Sequence, residues 1–259
     1  MSKNNELAVQ ETQEIALTAD QDFTMEDMME ELDGLGSISF DRIKIPSGGG
    51  SAFEIAGDDP DNPDVSKTVE GVIVLHQPCN VYFRYKFGES DEKMPDCSSA
   101  DGKTGTMRET GTEKQCATCK YNQFGSADDG NGKACQNRID LYILMDGGMF
   151  PVVLSLPATS IKAFKDYLKS IVFRKKRLMQ VKTSISLKKA KRAGGIDYST
   201  CVFKRIGDVD PAEYAAMGKM RNLCKSMALA VHSTATESGE DGADIELKEE
   251  TGEDKDLPF

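Results

Sequence analysis

Hydrophobic and polar positions alternate along much of residues 37–206, and the period changes from two to 3.6 at two places. Ser37 to Pro46 alternates and predicts a first strand, followed by a flexible turn at Gly48, Gly49 and Gly50 and a polar loop at Asp58 to Asp64. Val69 to Phe87 predicts a long strand bent at Pro78. Its alternation places Val81, Phe83, Tyr85 and Phe87 on one face and Tyr82, Arg84 and Lys86 on the other. Arg138 to Met145 predicts another strand, with Ile139, Leu141, Ile143 and Met145 on the apolar face and Tyr142 on the polar one. Asp146-Gly147-Gly148 is a tight turn, and Phe150 to Leu156 returns. The period then becomes helical. Ile161, Phe164, Leu168 and Ile171 share one face, Lys162, Lys165 and Lys169 another, and Thr159 or Ser160 is placed to cap the start. Val181, Thr183, Ile185 and Leu187 then alternate with Lys182, Ser184, Ser186 and Lys188. Ile196 to Ile206 forms the returning strand. A last helix starts at Asp210-Pro211-Ala212-Glu213, where Asp caps and Pro suits the first turn, and runs to about Val231.

This order predicts a mainly β protein: an OB-fold-like five-stranded barrel with a helix between strands 3 and 4. The expected boundaries are a disordered acidic arm at 1–36, the barrel at 37–207, a C-terminal helix at 208–232 and a disordered acidic tail at 233–259. Residues 88–137 interrupt the barrel as an insertion rich in Gly, Asp, Ser and Lys. With few apolar residues it packs no core of its own and needs another source of order.

Four of the seven cysteines fall in that insertion: Cys97, Cys116, Cys119 and Cys135, separated by 18, 2 and 15 residues. A C-x-x-C step aims two thiolates at one ion, and two distant cysteines complete a tetrahedral shell. The expectation is a zinc-ribbon-like loop holding one structural Zn2+, closed to water and therefore not catalytic. His76 and Cys79 stand on the preceding strand as alternative ligands, and that choice stays open. A redox C-x-x-C lacks the strand-to-helix context it needs here. No H-E-x-x-H, P-loop or G-x-S-x-G pattern occurs, so no enzyme is expected. Eighteen consecutive apolar residues are absent and the start is polar and acidic, so the expected location is a reducing cytoplasm.

The net charge of −11 hides a division. Residues 1–36 carry −9 and 237–259 carry −8, which leaves +6 for 37–236; residues 160–205 hold fourteen Lys and Arg against two Asp. A basic body between acidic arms suits a polyanion. A groove for single-stranded DNA needs cations for the phosphates and aromatic faces for the bases. The candidates are Tyr82, Arg84 and Lys86; Tyr142; Arg174, Lys175, Lys176 and Arg177; Lys182 and Lys188; and Lys204 and Arg205.

Two resemblances sharpen this. Asp256-Leu257-Pro258-Phe259, after an acidic run broken by Lys255, resembles the acidic tip of bacterial single-stranded-DNA-binding proteins. That likeness implies that Asp256, Leu257, Pro258 and Phe259 recruit replication, recombination and repair enzymes. The segments Pro95–Ser99, Cys116–Gly125 and Gly132–Cys135 resemble a family of phage-encoded single-stranded-DNA-binding proteins. The T-even phage helix-destabilising protein is similar in architecture, with an OB-type fold, a zinc site and an acidic tail, although its zinc shell includes a histidine. The implied function is to coat and protect single-stranded DNA in a bacterial host. The competing expectations are single-strand annealing or RNA binding, and a zinc-ribbon accessory part of a primase or nuclease.

Overall fold

The computed structural model describes residues 25–31, 39–57, 62–85, 94–128, 130, 132–191 and 197–231. It divides into two units, residues 1–36 and 37–259. In the first, Met25–Glu31 is a short helix, α1, so part of the arm expected to be disordered is helical. Its Met and Glu residues are good helix formers.

The second unit is mainly β. Its strands are β1 (Arg42–Ile43), β2 (Phe53–Ile55), β3 (Asp64–Ser66), β4 (Thr68–Tyr82), β5 (Cys97–Ser99), β6 (Thr104–Met107), β7 (Glu113–Gln115), β8 (Cys135–Met145), β9 (Val152–Leu156), β10 (Val181–Lys191) and β11 (Asp197–Asp208). Two helices, α2 (Ala158–Phe173) and α3 (Tyr214–Val231), complete it. β4 is the axis. It pairs antiparallel with β8 along most of its length and with β10 through Thr68–Val72, while β8 pairs with β9 and β10 with β11. The path β9-β8-β4-β10-β11 gathers the strands expected within 69–87, 138–156 and 181–206 into one sheet, with α2 between β9 and β10 in the chain as expected.

Closure does not follow as expected. Among the described residues no ladder joins β9 to β11; β1 lies parallel to β9 instead, with Arg42 opposite Val153. The Ser37–Pro46 strand shrinks to Arg42–Ile43. The Gly-rich turn that follows fills the seam, and Ser199 Oγ on β11 donates to the carbonyl of Gly50 at 2.7 Å. β2 and β3 form a separate antiparallel pair on either side of the loop expected at Asp58 to Asp64, with Phe53 fully buried.

Both faces of the central strands are covered. On one, Val69, Ile73, Leu141, Ile143, Leu154, Leu156, Val181 and Ile185 meet Phe164, Tyr167 and Ile171 of α2. Each such large side chain contributes ~1.5–3 kcal/mol on burial. Tyr167 is buried without cost to its phenol, which lies 2.7 Å from Thr183 Oγ1. The other face carries Leu75, Cys79, Asp140 and Tyr142 beneath Phe40 and beside α3, whose Met220, Cys224 and Ala228 are buried. Asp140 accepts from Ser155 Oγ at 2.6 Å, and Ser155 accepts from Arg42 at 2.9 Å. Neither Thr159 nor Ser160 caps α2: Pro157 holds that position without a side-chain bond, and the buried Ser160 Oγ accepts from the Cys201 amide at 2.9 Å. The Asp210 cap is as expected, accepting from the Ala212 amide at 2.9 Å.

Gly71 sits where β4 runs between β10 and β8, opposite Thr183 and Met145. A Cβ there would stand 2.3 Å from the Leu144 carbonyl oxygen and 2.9 Å from Met145 Cα. Backbone cannot yield as a side-chain tip can, so the tight coil of the sheet requires glycine. Gly71→Ala should destabilise the protein by about 1–3 kcal/mol, read as a lower urea midpoint; an unchanged midpoint would show that the strands are not this close.

Candidate cysteine site and nucleic-acid surface

The insertion hangs from the end of β4. Tyr82 pairs with Cys135 of β8 on one side and with Cys97 of β5 on the other. Direct cross-strand partners share a face, so Cys97 and Cys135 flank the Tyr82 ring. β6 then pairs with β5, and β7 with β6. Gly105 of β6 leaves room for sulfur: a Cβ at that position would lie 3.0 Å from Cys97 Sγ and 3.5 Å from Cys116 Sγ. The Cys116 amide is fixed on the Lys103 carbonyl at 2.7 Å, which delivers the C-x-x-C step to the same place.

One cavity is lined by all four expected ligands, Cys97, Cys116, Cys119 and Cys135, with Tyr82, Lys114 and Asn122. Burial and the neighbouring thiols push the Cys135 thiol up to about 12 and raise that of Cys97. The thiols are thus mutual neighbours. As they stand among the described residues, no group of three or more His, Cys, Asp or Glu side chains is arranged to hold an ion. His76 and Cys79 do not line this cavity. His76 meets the Phe164 ring at 5.5 Å, and Cys79 is buried beside Asp140. Asn122 Oδ1 is buried there without a hydrogen-bond partner among the described residues.

Outside the cavity, residues 116–134 form a hydrogen-bonded knuckle. Asn122 Nδ2 donates to the Cys116 carbonyl at 2.9 Å, Gln123 Nε2 to that of Ala117 at 2.9 Å, and Ser126 Oγ to that of Tyr121 at 2.8 Å. The Gly125 amide donates to the Gly132 carbonyl at 2.8 Å. On this frame Tyr121 stacks on Tyr82 at 4.1 Å between centroids, and Lys120 Nζ lies 4.7 Å from the Tyr121 ring. Phe124 is 62% exposed, with Lys133 Nζ 4.9 Å from its ring.

The expected DNA-contacting residues separate into groups. Tyr142 is corrected: at 3% exposure, edge-on to Phe40 at 5.0 Å, it has no ring face to offer a base. Its strand alternates as expected, but the face expected to be polar is covered. Tyr82 is half-buried and already stacked, so it supports Tyr121 rather than standing free. β4 ends at Tyr82, so the alternation expected through Phe87 is cut short. Arg84 is held by Asp96 and Glu109 at 3.7 and 3.4 Å, and Lys182 by Asp146 at 3.0 Å. Lys176 and Arg205 share Asp208 at 2.7 and 2.6 Å. Lys204 and Arg205 alternate onto opposite faces of β11, opposite Ser184 and Thr183. Lys175, Arg177, Lys188 and Lys204 are exposed and form no ion pair among the described residues. Lys86, Asp256, Leu257, Pro258 and Phe259 lie outside the described residues.

Three exposed rings were not anticipated: Tyr85 (53% exposed), Phe124 and Phe173 (75% exposed). For Phe173 the signal was present, because it lies two residues beyond Ile171, off the apolar stripe of α2, and directly precedes Arg174. For Phe124 nothing in its neighbours distinguished exposure from burial.

Asp208 accepts from Arg205 and Lys176, and these bonds hold its carboxyl down at about 2. Because the folded value is depressed, this contribution to stability is present above the ordinary carboxylate range. It is lost as pH falls through about 2. A carboxyl-carbon NMR titration should give Asp208 a midpoint near 2; an ordinary midpoint would mean that the two cations are free. No family model, curated protein or solved structure matches the chain.

Proposed function

We propose that this protein binds single-stranded DNA without sequence preference, coating and protecting it during replication and recombination. The observation that carries the reading is the knuckle at residues 116–134. It presents the exposed Phe124 with Lys133 over its ring, next to Tyr121, which stacks on Tyr82 and carries Lys120, beside a cavity lined by four thiols. Rings stack on bases of any identity, and the lysines meet the phosphates between them. Lys188 and Lys204 on β10 and β11 are further exposed cations, toward the end of β4 opposite the knuckle. The path β9-β8-β4-β10-β11 with α2 after its third strand, counted from β4, supports an OB-type architecture whose seam holds β1 in place of direct closure.

Within this reading Cys97, Cys116, Cys119 and Cys135 hold one Zn2+. The donor set suits zinc: four sulfurs, the space left by Gly105, and two lysines, Lys114 and Lys133, whose charge offsets part of the burial that raises the Cys97 and Cys135 thiols. Bound zinc would supply structural cross-linking; the chain's own residues then hold the knuckle and its rings in place. Purified protein should contain about one zinc per chain, as one four-thiolate shell requires. Cys116→Ser should lose the metal and open residues 94–134 to proteolysis; full metal retention in that variant would exclude Cys116 as a ligand. Asp256, Leu257, Pro258 and Phe259 would recruit replication and repair enzymes by seating an aromatic ring and acids in a basic-rimmed pocket.

Titration with labelled oligo-dT should show tight binding that falls steeply with salt as counterions are released, and much weaker binding to duplex. Asp208→Asn, which frees Lys176 and Arg205, should strengthen binding most at low salt. Equal affinity for single strand and duplex at moderate salt would contradict the reading.

A further inference from the structure

The C-terminus of α2 carries an exposed apolar pair, Val172 (58% exposed) and Phe173 (75% exposed), directly followed by Arg174-Lys175-Lys176-Arg177. Lys169 Nζ lies 5.8 Å from the Phe173 ring centroid. Two of the four following cations have structural work. Arg174 Nη1 donates to the Ser170 carbonyl at 2.8 Å, satisfying the helix end, and Lys176 is tied to Asp208 at 2.7 Å. Lys175 and Arg177 are exposed and form no ion pair among the described residues.

The backbone here adds a second observation. The helix closes in a Schellman motif: the Lys176 amide donates to the Ile171 carbonyl at 3.3 Å, and the Lys175 amide to that of Val172 at 2.8 Å. Lys175 therefore sits at φ 58, the left-handed position that glycine ordinarily fills. It is the only non-glycine residue with positive φ among the described residues. A lysine held in this strained conformation places a cation where glycine would be more stable. The helix end itself does not need it, because Arg174 already serves that end.

We infer that Phe173 and the Arg174–Arg177 turn form a second contact for single-stranded nucleic acid, separate from the knuckle: one base stacks on Phe173 while Lys175 and Arg177 take the adjoining phosphates. Lys169 occupies one side of the ring and leaves the other for the base. The occupant is chosen by chemistry. A ring beside two uncommitted cations complements an alternating string of bases and phosphates. This inference rests on the single-stranded-DNA reading and locates a further subsite within it.

The chain has no tryptophan, so Phe173→Trp introduces a single reporter. On adding oligo-dT to the full-length variant, its fluorescence should be quenched. Phe173→Ala should weaken oligo-dT binding roughly five- to hundredfold. Lys175→Gly should weaken binding while raising the melting temperature, since glycine relieves the left-handed strain; a merely structural role would not separate the two. If wild-type protein binds oligo-dT, the reporter is silent and both other variants bind as wild type, the inference is overturned and the broader reading stands. If wild-type protein does not bind, the broader reading fails and takes this subsite with it. A reporter that responds to a poly-glutamate peptide and not to oligo-dT overturns the inference in favour of an acidic protein partner.

Discussion

Tyr82 joins the insertion to the sheet through two ladders at once, to Cys97 on one side and Cys135 on the other. What projects beyond that joint is poor in apolar side chains; among the described residues, those buried beyond β4 and before the body of β8 are Pro95, Cys116, Ala127 and Cys135. Local hydrogen bonds shape its turns, as where Asp101 accepts from the Lys103 and Thr104 amides at 2.7 and 2.9 Å. Such bonds are worth about 0.5–1.5 kcal/mol each and do not replace a core. The convergence of four thiols from two strands and one turn provides a cross-linking point for the region. The proposed metal is the device that uses it, and the exposed rings depend on the frame it would hold.

The sheet explains where a ligand could approach. α2 covers one face of the central strands, and α3 with Phe40 covers the other. Tyr142 is consequently interior, and burial raises its phenol well above the ordinary value. The exposed aromatic and cationic groups lie instead at the knuckle, at the end of α2 and on β10 and β11. Acids already neutralise part of the cation set, with Asp208 holding two cations and Asp146 one. The number of lysines and arginines in the sequence therefore overstates the charge available to a phosphate.

Elements whose period is set by one covered face were legible. β10 alternates in burial from Val181 to Ile185 as its sequence does, and Phe164 and Ile171 point inward from α2. The Asp210 cap was legible because the signal is local. Tyr142 was not, because the cover over its face comes from Phe40 and α3, distant in sequence. The stacking of Tyr82 was not legible for the same reason: its partner Tyr121 is 39 residues away, across the insertion. The seam beside β9 also escaped, since the alternation of Ser37–Pro46 marks a strand but not its partner, and only Arg42–Ile43 pair, in parallel with β9. In the cysteine cluster the spacing identified the four residues that line one cavity, whereas the choice against His76 and Cys79 needed the register of β4.

The claim that the insertion is organised by a single four-thiolate centre is tested most directly by zinc K-edge X-ray absorption on the full-length protein as purified. The account predicts one shell of four sulfurs at about 2.3 Å. A shell containing nitrogen or oxygen, or protein that folds its insertion with no bound metal, would contradict it.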